Sequence, residues 1–289
     1  MADVGRRYVT YIGFHGTRLA ADMWSPAVDI INPTGAVLLL HGGGQTRHSW
    51  QATAYRLAAN GWLAITVDAR GHGDSQWAPD RDYSIDAFVG DVYAIAAALD
   101  RRPVLVGASL GGMTALVAQG ERSSLGSALV LVDITPRVEP AGRDRIRAFM
   151  TGAPDGFASL DEVADAVQAY NPHRSRPRSL EGLKKNVRQR ANGRWYWHWD
   201  PAFLASRDAP TRALDVPRLY QAARDITVPT LLVRGNRSDI VSADGAAELL
   251  ELIPSARSVD AAAGHMVAGD NNDVFTKDLL NFLSEHAAA

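Results

Sequence analysis

Val104-Leu105-Val106-Gly107-Ala108-Ser109-Leu110-Gly111-Gly112 is the stretch from which the rest of the chain can be read. Three apolar residues run into Gly-x-Ser-x-Gly, and an apolar, alanine-rich helical pattern follows. The pattern predicts a strand, a sharp turn and a helix, with Ser109 lifted out at the turn. Bulk two residues before or after that serine would collide with a neighbouring strand or helix, and Gly107 and Gly111 leave the space empty. The helix that follows directs its positive N-terminus at the hydroxyl. Ordinary strand-to-helix turns also contain serines, so the partners of a reactive serine have to be sought elsewhere in the chain.

Outward from this turn, strands and helices alternate. Tyr8 to Phe14 and Arg18 to Trp24 alternate around Gly16 and predict an opening hairpin with an antiparallel edge strand. Ala36 to Leu40, Trp62 to Val67 and Ala128 to Val132 are apolar runs of strands buried on both faces. Helices are expected over Ser49 to Asn60, Ser84 to about Leu99, Ala243 to Leu252 and Asn272 to His286. Further strands are expected at Val228 to Val233 and Ala256 to Val259. This is the order of an α/β, mostly parallel, doubly wound sheet. Between Arg137 and about Asp225 the chain changes character. It becomes arginine-rich and helix-like, is broken by prolines, and adds no convincing strand. The expected organisation is a core of residues 1–136 and 226–289, with 137–225 a helical cap over the carboxyl ends of the strands, where open α/β sheets bind ligands.

Composition narrows the function classes. The 289 residues are 46% hydrophobic and 21% charged, with a net charge of −2. That balance favours neither nucleic acid nor an anionic membrane as partner. There is no cysteine, which excludes disulfides, thiol catalysis and cysteine-ligated metals. No apolar signal core follows Arg6 and Arg7, and no run is long enough to span a bilayer, so the expected location is the cytoplasm. The final Ala287-Ala288-Ala289 reads as a frayed tail. Monomer and homodimer both remain open.

A serine hydroxyl needs a base, a group that orients the base, and donors for the oxyanion that forms. Downstream of Ser109 the order acid, then histidine is met. His265, in the loop Ala263-Gly264-His265-Met266 after the last short strand, is the base. Asp239, in the loop after the strand ending at Val233, is the chosen acid. Asp133, which closes the strand after the Ser109 helix, competes with it. Leu110 offers one oxyanion N–H from the first helical turn. The second is expected from His41-Gly42-Gly43-Gly44, with Gly43 favoured and Gly44 next. No Lys-Ser/Thr follows these glycines and no Gly-x-Gly-x-x-Gly is present, which excludes a P-loop and the dinucleotide fingerprint.

His41 and His72 sit in separate loops without an acidic partner at ligand spacing, so no metal and no cofactor are expected. The Asp68-to-Ser75 stretch reads as a structural turn packed beside the serine turn. Trp195-Tyr196-Trp197-His198-Trp199 reads as cap packing, with Trp195 and Trp197, together with Met266 and Gly44, as candidate substrate contacts. Lys184, Lys185, Arg188 and Arg190 read as a solvated face.

Taken together, these motifs resemble the α/β-hydrolase superfamily. They are His41-Gly42-Gly43-Gly44, Asp68-Ala69-Arg70-Gly71-His72-Gly73-Asp74-Ser75, the Ser109 turn, the Gly235-to-Asp239 loop and Gly264-His265-Met266. The cap position is similar to the branch of epoxide hydrolases, cofactor-free haloperoxidases and carbon–carbon bond hydrolases. Epoxide hydrolases and haloalkane dehalogenases of this type carry an aspartate where this chain has Ser109. A serine there implies acyl transfer to water. The resemblance implies a serine hydrolase acting on a small, fairly apolar ester or lactone. The alternatives are carbon–carbon bond hydrolysis or perhydrolysis by the same triad, and a ligand receptor of the same fold.

Overall fold

The computed structural model describes residues 4–26, 33–172, 176, 179–205, 215–265 and 273–286. Among them run ten strands: β1 (Gly5–Ile12), β2 (Arg18–Ser25), β3 (Ala36–Leu40), β4 (Leu63–Val67), β5 (Val104–Ala108), β6 (Ala128–Val132), β7 (Val187–Gln189), β8 (Trp195–Trp197), β9 (Thr230–Gly235) and β10 (Ala256–Ala261). The α-helices are α1 (Gln51–Ala59), α2 (Ile85–Ala97), α3 (Leu110–Glu121), α4 (Pro140–Thr151), α5 (Leu160–Tyr170), α6 (Pro201–Ala205), α7 (Val216–Arg224), α8 (Ala243–Leu252) and α9 (Asp273–His286).

Eight strands form one sheet in the order β1-β2-β4-β3-β5-β6-β9-β10. β1 and β2 pair antiparallel, as do β2 and β4, and the remaining pairs are parallel. Alternation along the buried strands assigns the two faces. Leu38, Leu105, Leu129 and Leu131 point to the side covered by α2, α3, α7 and α8, where Val92, Leu116, Leu219 and Leu249 close the core. Val37, Leu39, Val106 and Val130 point to the other side, onto Trp50, Leu57, Phe275 and Leu279 of the layer containing α1 and α9. With both faces covered, these strands need no polar side, which is why they read as continuous apolar runs.

Two features depart from the expected organisation. The 137–225 stretch does contain strands, the antiparallel pair β7 and β8. Each is three residues long, too short for period-2 alternation to register. Asn192-Gly193 lies in the turn between them, with Gly193 at φ +78, and that dipeptide is a hairpin signal. The second departure is α7, which packs on the core. A Cβ on Gly120 of α3 would lie 2.4 Å from the Ala222 carbonyl oxygen, so the two helix backbones touch. The part of the stretch that covers the sheet edge runs through α4, α5, β7, β8 and α6. Its own apolar cluster, with Met150, Phe157, Val163, Trp197 and Phe203, meets the core at Tyr83, Phe88 and Leu110.

Candidate active site

β5 sits between β3 and β6, and its carboxyl end delivers the serine. Ser109 has φ 47 and ψ −114, a conformation that L-residues rarely adopt. Strain of this kind costs about 1–3 kcal/mol and persists only where the surroundings enforce it. Here the glycines show what enforces it. A Cβ on Gly107 would lie 2.4 Å from the Gly111 carbonyl oxygen, and a Cβ on Gly111 2.4 Å from that of Leu40. The turn is thus pressed between its own helix and β3, as the Gly-x-Ser-x-Gly spacing predicts. Ser109 N–H donates to the Val132 carbonyl (3.2 Å), and the Ser109 carbonyl accepts from Met113 N–H (2.8 Å), which starts α3.

His265 reaches the serine from the loop after β10, with Nε2 3.1 Å from Ser109 Oγ. Its Nδ1 lies 2.7 Å from Asp133 Oδ2. A carboxylate can only accept, so Nδ1 carries the proton and Nε2 offers its lone pair to the hydroxyl. The acid in contact with the histidine is therefore Asp133, and Asp239 is corrected. The reason lies in the strand ends. β6 and β5 are paired at Val132 and Ala108, so the next residues, Asp133 and Ser109, emerge side by side. Asp133 turns inward at φ 51 and is fully buried. Asp239 lies four residues beyond the end of β9, at the rim, where it pairs with Arg145 at 3.0 Å.

The Gly235-to-Asp239 loop serves the acid rather than supplying it. Gly235 N–H donates to Asp133 Oδ1 (2.8 Å) and Ser238 Oγ–H to Oδ2 (2.5 Å). Ser238 Oγ in turn accepts from the N–H groups of Ile240 and Val241. Ser238 was not singled out in the sequence, and a lone loop serine carries no signal of such a role. Gly235 also lets the histidine loop pass, since a Cβ there would lie 2.5 Å from the Gly264 carbonyl oxygen.

The glycine loop and Leu110 face the serine from the other side. Gly43 and Leu110 both line the cavity at Ser109. Neither N–H has an acceptor among the described residues. Two backbone donors without an acceptor beside a serine suit an oxyanion. Gly44, at φ +76, also lines the cavity, so the turn it makes requires the left-handed region.

Three buried histidines hold this loop. His41 Nδ1–H donates to the Gly42 carbonyl (2.8 Å), and its Nε2 accepts from Ala69 N–H (3.0 Å). His198, from the cap, accepts from Gly73 N–H at Nδ1 (2.7 Å) and lies 3.3 Å from the Gly44 carbonyl through Nε2. His72 lies between them, with ring centroids 5.4 and 5.7 Å away. Burial pushes His41 down to about 4 and His72 to about 3, and holds His198 well below the ordinary histidine range. Neutral rings fit the bonds they make, because each needs one bare nitrogen or sits beside another ring. The Asp68-to-Ser75 turn is tied down by Arg47, which binds Asp68, Asp74 at 2.8 Å and Asp22 at 3.1 Å, and by Arg70 against Asp91.

Over the serine lies a cavity of about 380 Å³. Met113, Ile134, Ile146, Met150, Trp197, Trp199 and Ile240 give it an apolar wall. Trp197 and Trp199 stack with centroids 5.0 Å apart. Trp195 does not line the cavity. Its backbone pairs with Phe157, and its ring packs into the cap cluster. Met266 lies outside the described residues. The basic run divides: Lys184 pairs with Glu181, Arg188 with Asp74, Arg190 lies over the Tyr196 ring, and Lys185 reaches the cavity. Among the described residues, one group could gather ligand atoms for a metal, namely His15, Asp80 and Asp82 in a surface turn. Its carboxylates already accept the N–H groups of Asp82 and Ser84.

This strand order, with a serine at the turn after β5 and a histidine after β10, defines an α/β hydrolase. The family model of the alpha/beta hydrolase fold matches residues 35–271, and the chain belongs to that family. It is 31% identical over 242 residues to Esterase Rv0045c of Mycobacterium tuberculosis, an alignment covering 81% of this chain and 78% of that one. It is 30% identical over 258 residues to the 2-(acetamidomethylene)succinate hydrolase of Mesorhizobium japonicum, covering 86% and 87%. A crystal structure of an alpha/beta hydrolase from Novosphingobium aromaticivorans superposes with a TM-score of 0.79 at 28% identity, over 99% of each chain. These relatives place the chain among hydrolases. No helix among the described residues is long and apolar enough to cross a membrane.

Proposed function

We propose that the protein is a serine hydrolase that cleaves a small, fairly apolar carboxylic ester or lactone through an acyl-enzyme. The observation that carries this reading is the relay of 3.1 Å from Ser109 Oγ to His265 Nε2 and 2.7 Å from His265 Nδ1 to Asp133, at the floor of an apolar cavity. His265 takes the hydroxyl proton as Ser109 Oγ attacks the carbonyl carbon. The oxygen, now negative, lies against the N–H groups of Gly43 and Leu110. His265 then returns the proton to the leaving alcohol. Water, deprotonated by the same Nε2, releases the acid and restores the serine. Asp133 holds the imidazole in the tautomer that both steps need and stabilises the imidazolium formed between them. A sequence relative that is named an esterase supports the esterase side of this reading.

A panel of p-nitrophenyl esters of graded acyl length, with simple lactones beside it, tests the substrate class. Turnover is expected for short acyl chains, falling towards decanoate as the chain outgrows the cavity, and absent in Ser109→Ala. Turnover confined to a vinylogous diketo acid, with esters and lactones inert, would contradict it.

A further inference from the structure

We propose that the substrate carries a free carboxylate on the arm opposite the scissile bond, and that Arg143 receives it. This deepens the serine-hydrolase reading and rests on it. Among the described residues no aspartate or glutamate lines the Ser109 cavity, whereas Arg143 and Lys185 do. The cavity is a positively charged chamber with apolar walls, and its nucleophile already sits at a helix N-terminus.

Arg143 is set apart from the other arginines of the cap. It lies in the first turns of α4, where Arg143, Ile146 and Met150 follow one another at helical spacing along the face that lines the cavity. Val138, Ile134 and Ile240 line the same cavity. The N-terminal part of α4 is pinned there, because a Cβ on Gly142 would lie 2.2 Å from the Asp239 carbonyl oxygen. Arg145 pairs with Asp239, Arg176 with Asp161, Arg188 with Asp74, and Arg194 donates to the carbonyls of Asp155 and Gly156. The Arg143 guanidinium has no carboxylate or side-chain hydrogen-bond partner among the described residues, although the residue is half-buried. A half-buried cation on an apolar wall is unfavourable until an anion meets it. A planar guanidinium takes a carboxylate through two parallel hydrogen bonds, which also fixes its direction. The cavity therefore suits an ester with one neutral reacting end at Ser109 and one acidic end at Arg143. Lys185, exposed at the end of the cavity beside Thr46 and His48, adds to the field that draws such a substrate in.

The test compares mono-p-nitrophenyl succinate, glutarate and adipate with their neutral methyl diesters. 4-Butyryloxybenzoate and its methyl ester form a second arm that places the acid on the leaving group. The quantity read is the ratio of kcat/KM for each acid over its neutral partner. In the wild type it exceeds tenfold for at least one pair, carried by KM. Arg143→Gln lowers it by on the order of 10–100-fold, and Arg143→Lys, which keeps charge but loses the fork, lowers it less. Arg147→Gln removes the same charge from an exposed position of the same helix and leaves the ratio unchanged. A ratio near one for every pair in the wild type would overturn the proposal. So would equal losses in Arg143→Gln and Arg147→Gln, which would mean that only the distant field matters. The serine-hydrolase reading is checked separately by the neutral esters. If their turnover does not depend on Ser109, that reading fails, and the Arg143 proposal falls with it.

Discussion

At Ser109 and Asp133 two adjacent strands end in residues with positive φ, 47 and 51, and these are the two ends of the relay through His265. Neither residue is glycine, and each is held in place by the bonds around it. For Asp133 those are the N–H of Gly235 and the hydroxyl of Ser238. The histidine was legible in the sequence because its loop, after the last strand, has few competitors. The choice between Asp133 and Asp239 was not. Both follow strands at the same sheet edge, and both lie between the serine and the histidine in chain order. What separates them is how far each loop carries its carboxylate from the strand end, a tertiary quantity. Asp133→Asn is expected to lower kcat by on the order of 10⁴, because an amide cannot hold the required tautomer. Asp239→Asn, which loses a rim contact to Arg145, changes kcat by no more than a few-fold. Steady-state ester hydrolysis by both variants decides the matter, and the opposite pattern would restore Asp239.

At the scale of elements, the strand-turn-helix around Ser109 was legible because its glycines answer to backbone collisions. α8 runs over Ala243–Leu252 as its pattern predicts, and α2 begins immediately after the N-cap Ser84. The β7–β8 hairpin went unread because its strands are too short to show a period, although Asn192-Gly193 marked the turn. The cap's attachment was equally hidden. It depends on Asp200, whose N–H donates to the Gly71 carbonyl (2.8 Å) and whose carboxylate accepts from Tyr83 Oη–H (2.6 Å). Tyr83 Oη also accepts from Ala78 N–H, and burial, with Asp200 beside it, raises the phenol so that it stays a donor. Tyr83→Phe leaves Asp200 and Ala78 N–H without this partner inside the structure. It is expected to cost about 1–3 kcal/mol of stability, read from denaturant midpoints. A loss below about 0.5 kcal/mol would mean that water replaces the hydroxyl and the cap is held elsewhere.

Across the whole molecule, the parallel sheet and its two covered faces follow directly from the apolar runs. The histidine stack that joins cap to core does not, because nothing in sequence brings residues 41, 72 and 198 together. It has a consequence for stability. His41 falls to about 4 and His72 to about 3 in the folded chain, against 6.5 for free histidine. The unfolded chain therefore binds more protons between these values and 6.5, so stability rises with pH there. The contribution is fully present above pH 6.5 and is lost as pH falls towards 4 and then 3. Each such histidine contributes a slope of up to about 1.4 kcal/mol per pH unit within its window. Thermal unfolding is expected to shift steeply downward between pH 6.5 and 4.5, with a shallower dependence in His198→Asn. A flat melting temperature over that range would show that the three rings are hydrated or charged in the fold.

Acyl transfer by this chain requires Ser109 as the nucleophile. The direct measurement is labelling of the intact protein with a fluorophosphonate ester, followed by peptide mass spectrometry. The expected result is one phosphonyl adduct on Ser109, lost in Ser109→Ala and strongly slowed in His265→Ala. Undiminished labelling of Ser109→Ala, or an adduct on another residue, would contradict it.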